Sequence, residues 1–240
     1  MYYEVIGNEN KNTIVFMHGW GADSSIFRGV ISLLPKNNWR YVLLDFSGFG
    51  KSREPDEDYH VNDYANEVVE LLKDLNINKA IFVGHSFVGR VGVVLASRFK
   101  SIVQKLVLVD SAGLIINRGV CYKLKVWRYK LKKHLISKGL LKGDLSRYGS
   151  SDFKALKSDT MRKTFLNVVN EDLSFDAKKI DVETILIWGK DDKDTPLKMA
   201  HKFHKLISNS KLIVLEDAGH YCFLDKMQDF VYILYDYILI

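Results

Sequence analysis

The chain has 240 residues, 47% of them apolar, enough to bury a sizeable core, and its composition requires no more than one domain. Its cysteines, Cys121 and Cys222, lie far apart without CxxC or Cys/His ligand spacing; this argues against a zinc site and a disulfide framework, and neither metal nor cofactor is expected. The net charge of +6 belongs to one piece, because residues 114–150 hold ten Lys or Arg against a single acid, Asp144, and the remainder is slightly acidic.

The opening residues, MYYEVIGNENKN, contain an acid at position 4 and no apolar stretch of signal-peptide length, so the expected compartment is the cytoplasm. Short apolar, β-branched runs then recur: TIVFMHG (13–19), YVLLDF (41–46), AIFVGH (80–85), KLVLVDS (105–111), TILIWG (184–189) and KLIVLED (211–217). Runs apolar on both faces predict strands covered on both sides. Between them, VNDYANEVVELLKDL (61–75) carries Tyr64, Val68, Leu71, Leu72 and Leu75 at helical spacing, with Asn62 or Asp63 as candidate cap. Strand and helix alternate, which predicts an α/β fold with a mostly parallel central sheet flanked by helices and chemistry beyond the carboxyl ends of the strands.

The rhythm breaks at 113–181, read as a helical cap inserted between core segments 1–112 and 182–240. Within it, YKLKVWRYKLKKHLI carries an apolar stripe of Leu124, Trp127, Leu131 and Leu135 among basic residues. The expectation is that the stripe packs on the core with the charges solvated. A lid favouring acidic substrates, a membrane-surface helix and a nucleic-acid face are the functional alternatives, in that order, since no nucleic-acid-binding motif accompanies the charge. Near the end, FVYILYDYILI is interrupted by Asp236 and falls well short of the roughly 20 residues a bilayer needs, so it reads as a buried terminal helix.

Three strand ends carry candidate chemistry. Ser86, in GHSFVG, follows a strand and opens a helix, where a serine is either an exposed nucleophile on a strained turn or simply a helix cap. TILIWG runs into KDDKDTP and KLIVLED into AGHYCFLD, so an acid and His220 follow the last two strands. Serine, acid and histidine in that chain order, each past a strand's carboxyl end, fit a Ser-His-Asp triad. GFGKS is not a phosphate loop, because GxxxxGKS would need glycine where Asp45 stands and no helix opens at Ser52.

With HGWG (18–21), DFSGFGKS (45–52), GHSFVG and WGKDDKDTP, the chain resembles the α/β-hydrolase superfamily along nearly its whole length, the insertion excepted. The resemblance selects Asp192 as the acid over Asp191 and Asp194, and leaves Asp110, after KLVLVDS, as a weaker candidate better read as a strand-end cap. It names the backbone N–H groups of Phe87 and Trp20 as the oxyanion hole, as does the general rule for such elbows. His18, His85, Arg90 and Trp127 are pocket candidates, His18 being expected to hold its loop and His85 to be a neighbour of the chemistry. Val88 stands where the GxSxG pattern has glycine; it is expected to leave Ser86 reactive while shifting or narrowing the pocket, with Gly89 able to take over the close contact.

The implied activity is hydrolysis of a small carboxylic ester or lactone through an acyl-enzyme on Ser86. Thioesterases, C–C bond hydrolases, lyases and menaquinone-pathway synthases share the fold and triad, Arg90 is a feature of some of them, and a receptor-like binding protein is the non-catalytic alternative. The expected partner is a small ester or acyl compound, with no nucleic acid.

Overall fold

A computed structural model describes residues 1–7, 12–116, 119–138, 140–141 and 150–239; the side chains of 119–123, 125, 126 and 137 also lie outside the description. The elements, in chain order, are β1 (Tyr2–Ile6), β2 (Asn12–Met17), α1 (Arg28–Leu33), β3 (Trp39–Asp45), α2 (Val61–Asp74), β4 (Ala80–His85), α3 (Gly89–Arg98) and β5 (Val103–Val109). Then come α4 (Gly119–Ser137), α5 (Ser151–Ala155), α6 (Asp159–Asn170), α7 (Ser174–Ala177), β6 (Thr184–Gly189), α8 (Leu197–Leu206), β7 (Ser210–Leu215), α9 (Cys222–Asp225) and α10 (Met227–Leu239).

The strands form one sheet in the order β1-β3-β2-β4-β5-β6-β7. All neighbours pair in parallel except β1, which runs antiparallel to β3. Alternate strand residues feed two cores, as the pleat requires. Val15, Val42, Phe82 and Leu106 face one core with α2, α3 and α8. Ile14, Tyr41, Ile81 and Val107 face the other with α1 and α10. Every residue of β4 is buried, which is why AIFVGH reads as an unbroken apolar run.

Some sequence expectations change. The short β1, which adds an edge strand, was not foreseen. The N-cap of α2 is His60, not Asn62 or Asp63; Asp63 sits in the first turn and its Oδ2 accepts the His60 N–H at 2.7 Å. Helix α10 is buried along one face only: Phe230 and Leu234 are covered while Tyr232 and Tyr235 are exposed. Among the described residues of 113–181 there are helices and no strand. Its later part joins the sheet's own core, since Met161, Val168, Leu173, Ala177 and Ile180 pack in the same cluster as α2 and α3. Most of the apolar stripe of α4 does not pack on the core: Leu124, Trp127 and Leu131 are exposed and only Leu135 is half-buried. No described helix is long and apolar enough to cross a membrane.

Candidate active site

Strand β4 delivers Ser86 from the middle of the sheet onto a 3-10 turn at Ser86–Val88 that leads into α3. Ser86 has a φ of 55°, the left-handed region an L-residue occupies only under constraint. That constraint is visible: the Ser86 carbonyl accepts the Ala112 N–H at 2.8 Å from beyond β5, and α3 begins with Gly89 pressed on Ser111. A Cβ at Gly89 would lie 1.6 Å from Ser111 Oγ and 2.5 Å from its Cβ, so this position admits only glycine. The close contact thus falls on Gly89, as expected. Val88 is fully buried in the core and is not on the cavity wall, so it does not narrow the pocket by lining it.

The Ser86 hydroxyl donates to His220 Nε2 at 2.8 Å, and His220 Nδ1–H donates to Asp192 Oδ2 at 2.9 Å. Asp192 Oδ1 accepts the backbone N–H groups of Asp194 at 2.8 Å and Thr195 at 3.0 Å, while the Thr195 hydroxyl sits 2.6 Å from Oδ2. Burial pushes the Asp192 pKa upward, but the hydrogen bonds from His220 and Thr195 outweigh it and hold the carboxyl below its ordinary range. Burial pulls His220 down, and the bond and charge of Asp192 outweigh that, so its pKa lies above the usual imidazole value. The Asp192, Asp194 and His220 ligand atoms lie within 4.8 Å of one another. The hydrogen bonds already described occupy Asp192 and His220, and account for that cluster without an ion.

Asp110 is buried at the end of β5 and makes no contact with His220 Nδ1. Its Oδ1 accepts the Gly189 N–H at 2.8 Å and its Oδ2 the Cys222 N–H at 3.1 Å, so it ties the loops bearing the acid and the histidine rather than capping its own turn. Burial raises its pKa to about 7. The same burial, with Asp110 beside it, pushes the Cys222 thiol upward, leaving it free but unreactive. The side chain of Cys121 falls outside the described residues.

The other candidates separate clearly. His18 is buried; Nδ1–H donates to Gly19 O at 2.8 Å and Nε2 accepts the Phe46 N–H at 3.2 Å, so it holds its loop and does not border the cavity. His85 borders the cavity; its Nε2–H donates to the His220 carbonyl at 2.7 Å. Its buried Nδ1 has no hydrogen-bond partner and faces Gly19, where a Cβ would come within 2.8 Å. Burial takes its pKa down to about 3, so it stays neutral. Arg90 is a buried cavity residue whose Nη1 donates to Glu171 O at 2.8 Å and Nη2 to Val169 O at 3.4 Å, tying α3 to the end of α6. Desolvation lowers its pKa to about 10. Trp127 is 59% exposed and lies off the cavity, contrary to expectation, because the stripe of α4 turns outward.

Trp20 and Phe87 both line the cavity and pack against each other. The Trp20 ring makes edge contacts with Phe49, Phe87 and Phe165 at centroid separations of 4.8, 5.1 and 5.0 Å, so it both packs and lines. Phe87 stands in the first turn after β4, where backbone N–H groups lack intrahelical partners. The cavity, about 360 Å³, is completed by residues of 113–181, among them Asp152, Phe165 and Val169, and by Tyr221. Spacing alone could not have named these, which reach the cavity only through the fold. A larger hollow of about 440 Å³ against Met1, Ser47, Lys51 and Arg53 touches none of the Ser86, His220 and Asp192 side chains.

A family model described as the alpha/beta hydrolase fold matches residues 12–135. The chain belongs to this family, and it is a hydrolase of that fold. An esterase from Exiguobacterium antarcticum superposes with a TM-score of 0.77 at 26% identity, covering 100% of this chain and 95% of the other. The AB hydrolase superfamily protein YisY of Bacillus subtilis is 26% identical over 95% of this chain and 91% of its own. A 2-hydroxy-6-oxo-6-(2'-aminophenyl)hexa-2,4-dienoic acid hydrolase from Metapseudomonas resinovorans is 27% identical over 90% of this chain and 80% of its own.

Proposed function

We propose that this hydrolase cleaves a small carboxylic ester or lactone through an acyl-enzyme on Ser86. The observation that carries the reading is the unbroken row from Ser86 Oγ through His220 to Asp192, with hydrogen bonds of 2.8 and 2.9 Å. His220 Nε2 takes the hydroxyl proton as Oγ attacks the substrate carbonyl carbon, and returns it to the departing alcohol oxygen. A water then gives its proton to His220 and its oxygen to the acyl carbon, releasing the acid and restoring Ser86. Asp192 fixes the Nδ1–H tautomer and stabilises the transient imidazolium. The N–H groups of Trp20 and Phe87 are assigned to the oxyanion, each such donor supplying about 3 kcal/mol of transition-state stabilisation.

The insertion acts as a cap over this site, because its residues wall the cavity. A cavity of about 360 Å³ suits a short acyl group. The similarity to an esterase over the whole chain supports ester chemistry. The similarity to a dienoic acid hydrolase keeps C–C bond cleavage as the second reading, favoured by the buried guanidinium of Arg90 on the cavity wall.

The test is labelling by a fluorophosphonate together with turnover of short-chain nitrophenyl esters, in wild type, Ser86→Ala and His220→Ala. Labelling and turnover of wild type alone are expected. Labelling without ester turnover moves the assignment to the second reading, and no labelling of folded wild type refutes the serine mechanism.

A further inference from the structure

Helix α4 is apolar on two opposite sides. On one side Tyr129 and Ile136 are half-buried; on the other Leu124, Trp127 and Leu131 recur at spacings of three and four residues and are 52%, 59% and 43% exposed, the stripe running on into a half-buried Leu135. Its sequence, GVCYKLKVWRYKLKKHLIS, contains six Lys or Arg and no acid. At about 100° per residue, Arg128 borders the outward stripe on one side and Lys130 on the other. Both are exposed, as are Lys133 and, just past the helix, Lys138, Leu140 and Leu141.

We infer that α4 docks this protein on an anionic lipid surface, with Leu124, Trp127 and Leu131 entering the headgroup–acyl boundary and Arg128 and Lys130 reaching lipid phosphates. A tryptophan-bearing apolar stripe flanked by bases, on a helix that cannot span, is the pattern of an interfacial helix. Long basic side chains lie along the apolar surface and lift their charge into the headgroup layer. The charge also selects the occupant. A second copy docked through the same face would bring two acid-free basic helices together, a repulsion that opposes a symmetric dimer there. A nucleic acid would satisfy the bases and leave the three large apolar side chains on a phosphate surface. An anionic bilayer complements both. The inference does not depend on the chemistry proposed for Ser86.

The experiment is co-sedimentation of the full chain with phosphatidylcholine vesicles, with and without phosphatidylglycerol, at low and high salt. Wild type is expected on the anionic vesicles alone, released by salt, with a blue-shifted emission that Trp127→Phe abolishes. The Arg128→Gln/Lys130→Gln pair should weaken partitioning by about twenty-fivefold, taking roughly fivefold per base at an anionic surface. The Leu124→Ser/Leu131→Ser pair should weaken it at least about tenfold. Circular dichroism of each variant establishes that it is folded. Failure of folded wild type to bind anionic vesicles overturns the inference, as does unchanged binding of the Leu pair. Retardation of a DNA duplex without vesicle binding overturns it in favour of nucleic acid, and concentration-dependent dimerisation lost in the Leu pair overturns it in favour of self-association.

Discussion

Gly89 is the position at which the elbow is most sharply tested. An alanine there would place its Cβ 1.6 Å from Ser111 Oγ, 2.5 Å from Ser111 Cβ and 3.2 Å from its Cα. Carbon atoms in contact prefer about 3.5 to 4.0 Å, so rotating the hydroxyl away still leaves the Cβ atoms about 1 Å too close. The start of α3 must retreat from β5 by that amount. Overpacking of this kind costs about 1–3 kcal/mol, and the better helix propensity of alanine offsets up to about 1 kcal/mol. The retreat strains the bond from Ala112 N–H to the Ser86 carbonyl, which follows Ser111 directly. A displacement near 1 Å at a reacting group costs about a hundredfold in rate. Gly89→Ala is therefore expected to lower the melting temperature by roughly 2–8 °C and the fluorophosphonate labelling rate by about two orders of magnitude. Ser111→Gly removes both short contacts at the Cβ and Oγ, so the double variant should recover most of the loss, giving a coupling above about 1 kcal/mol in a thermal-unfolding cycle. Val88→Gly supplies the contrast: it empties a fully buried site, costing about 2–4 kcal/mol, while labelling stays within a few-fold. An unchanged melting temperature and labelling rate for Gly89→Ala would refute the close-packing reasoning.

Other outcomes follow from the titrating groups and from the insertion's anchors. Because His220 must be neutral to accept the serine proton and its pKa lies above 6.5, labelling should fall on acidification with a midpoint above 6.5. Asp192→Asn should move that midpoint to lower pH and slow labelling by up to about 10⁴-fold, and an unmoved midpoint would exclude Asp192 as the cause. Asp110 has its folded pKa raised to about 7, so the native state binds the extra proton and this group's contribution to stability declines as pH rises from its unfolded value, near 3.8, to about 7. Asp110→Asn leaves Gly189 N–H or Cys222 N–H without an acceptor, a loss of about 1–3 kcal/mol. That penalty should be larger in denaturant melts at pH 5 than at pH 8; a penalty independent of pH would contradict the titration. Arg90→Met removes the donors that hold the carbonyls of Val169 and Glu171 and should raise protease sensitivity at the end of α6, whereas Arg90→Lys should restore only part of the protection.

What the sequence disclosed follows from where the information lies. Strands β2 to β7 were legible as apolar runs, continuous in β2 to β6 where both faces are largely buried and still apolar in the edge strand β7; YYEVI was not, since Glu4 interrupts the short edge strand β1. Ser86 and His220 were legible because each follows the end of a strand, and the parallel sheet brings those ends together; spacing gave three acids after β6, and only the resemblance selected Asp192 among them. The stripe of α4 was visible, but periodicity identifies a face without saying whether it turns inward, and on a helix apolar on two sides the guess failed. That Gly89 could make the close contact was legible, but what it must clear was not: Ser111 Oγ belongs to a strand end twenty-two positions further on. The roles of Asp110 and His85 rest on contacts of the same long-range kind, to Cys222 N–H and to the His220 carbonyl.

Helix α6 is fastened along its middle and at its C-terminal end. Tyr59 N–H donates to Thr164 Oγ1 at 2.9 Å, Asn167 Nδ2 donates to Asp58 at 2.9 Å, and Arg90 holds the carbonyls of Val169 in the last turn and Glu171 just past it. A wall fastened this way sets a size limit that no swinging motion relieves. Selection for bulkier substrates should therefore act first on the side chains α6 turns to the cavity, Phe165 above all, rather than on hinges, and traffic to and from Ser86 should pass on the side of α4 and α5.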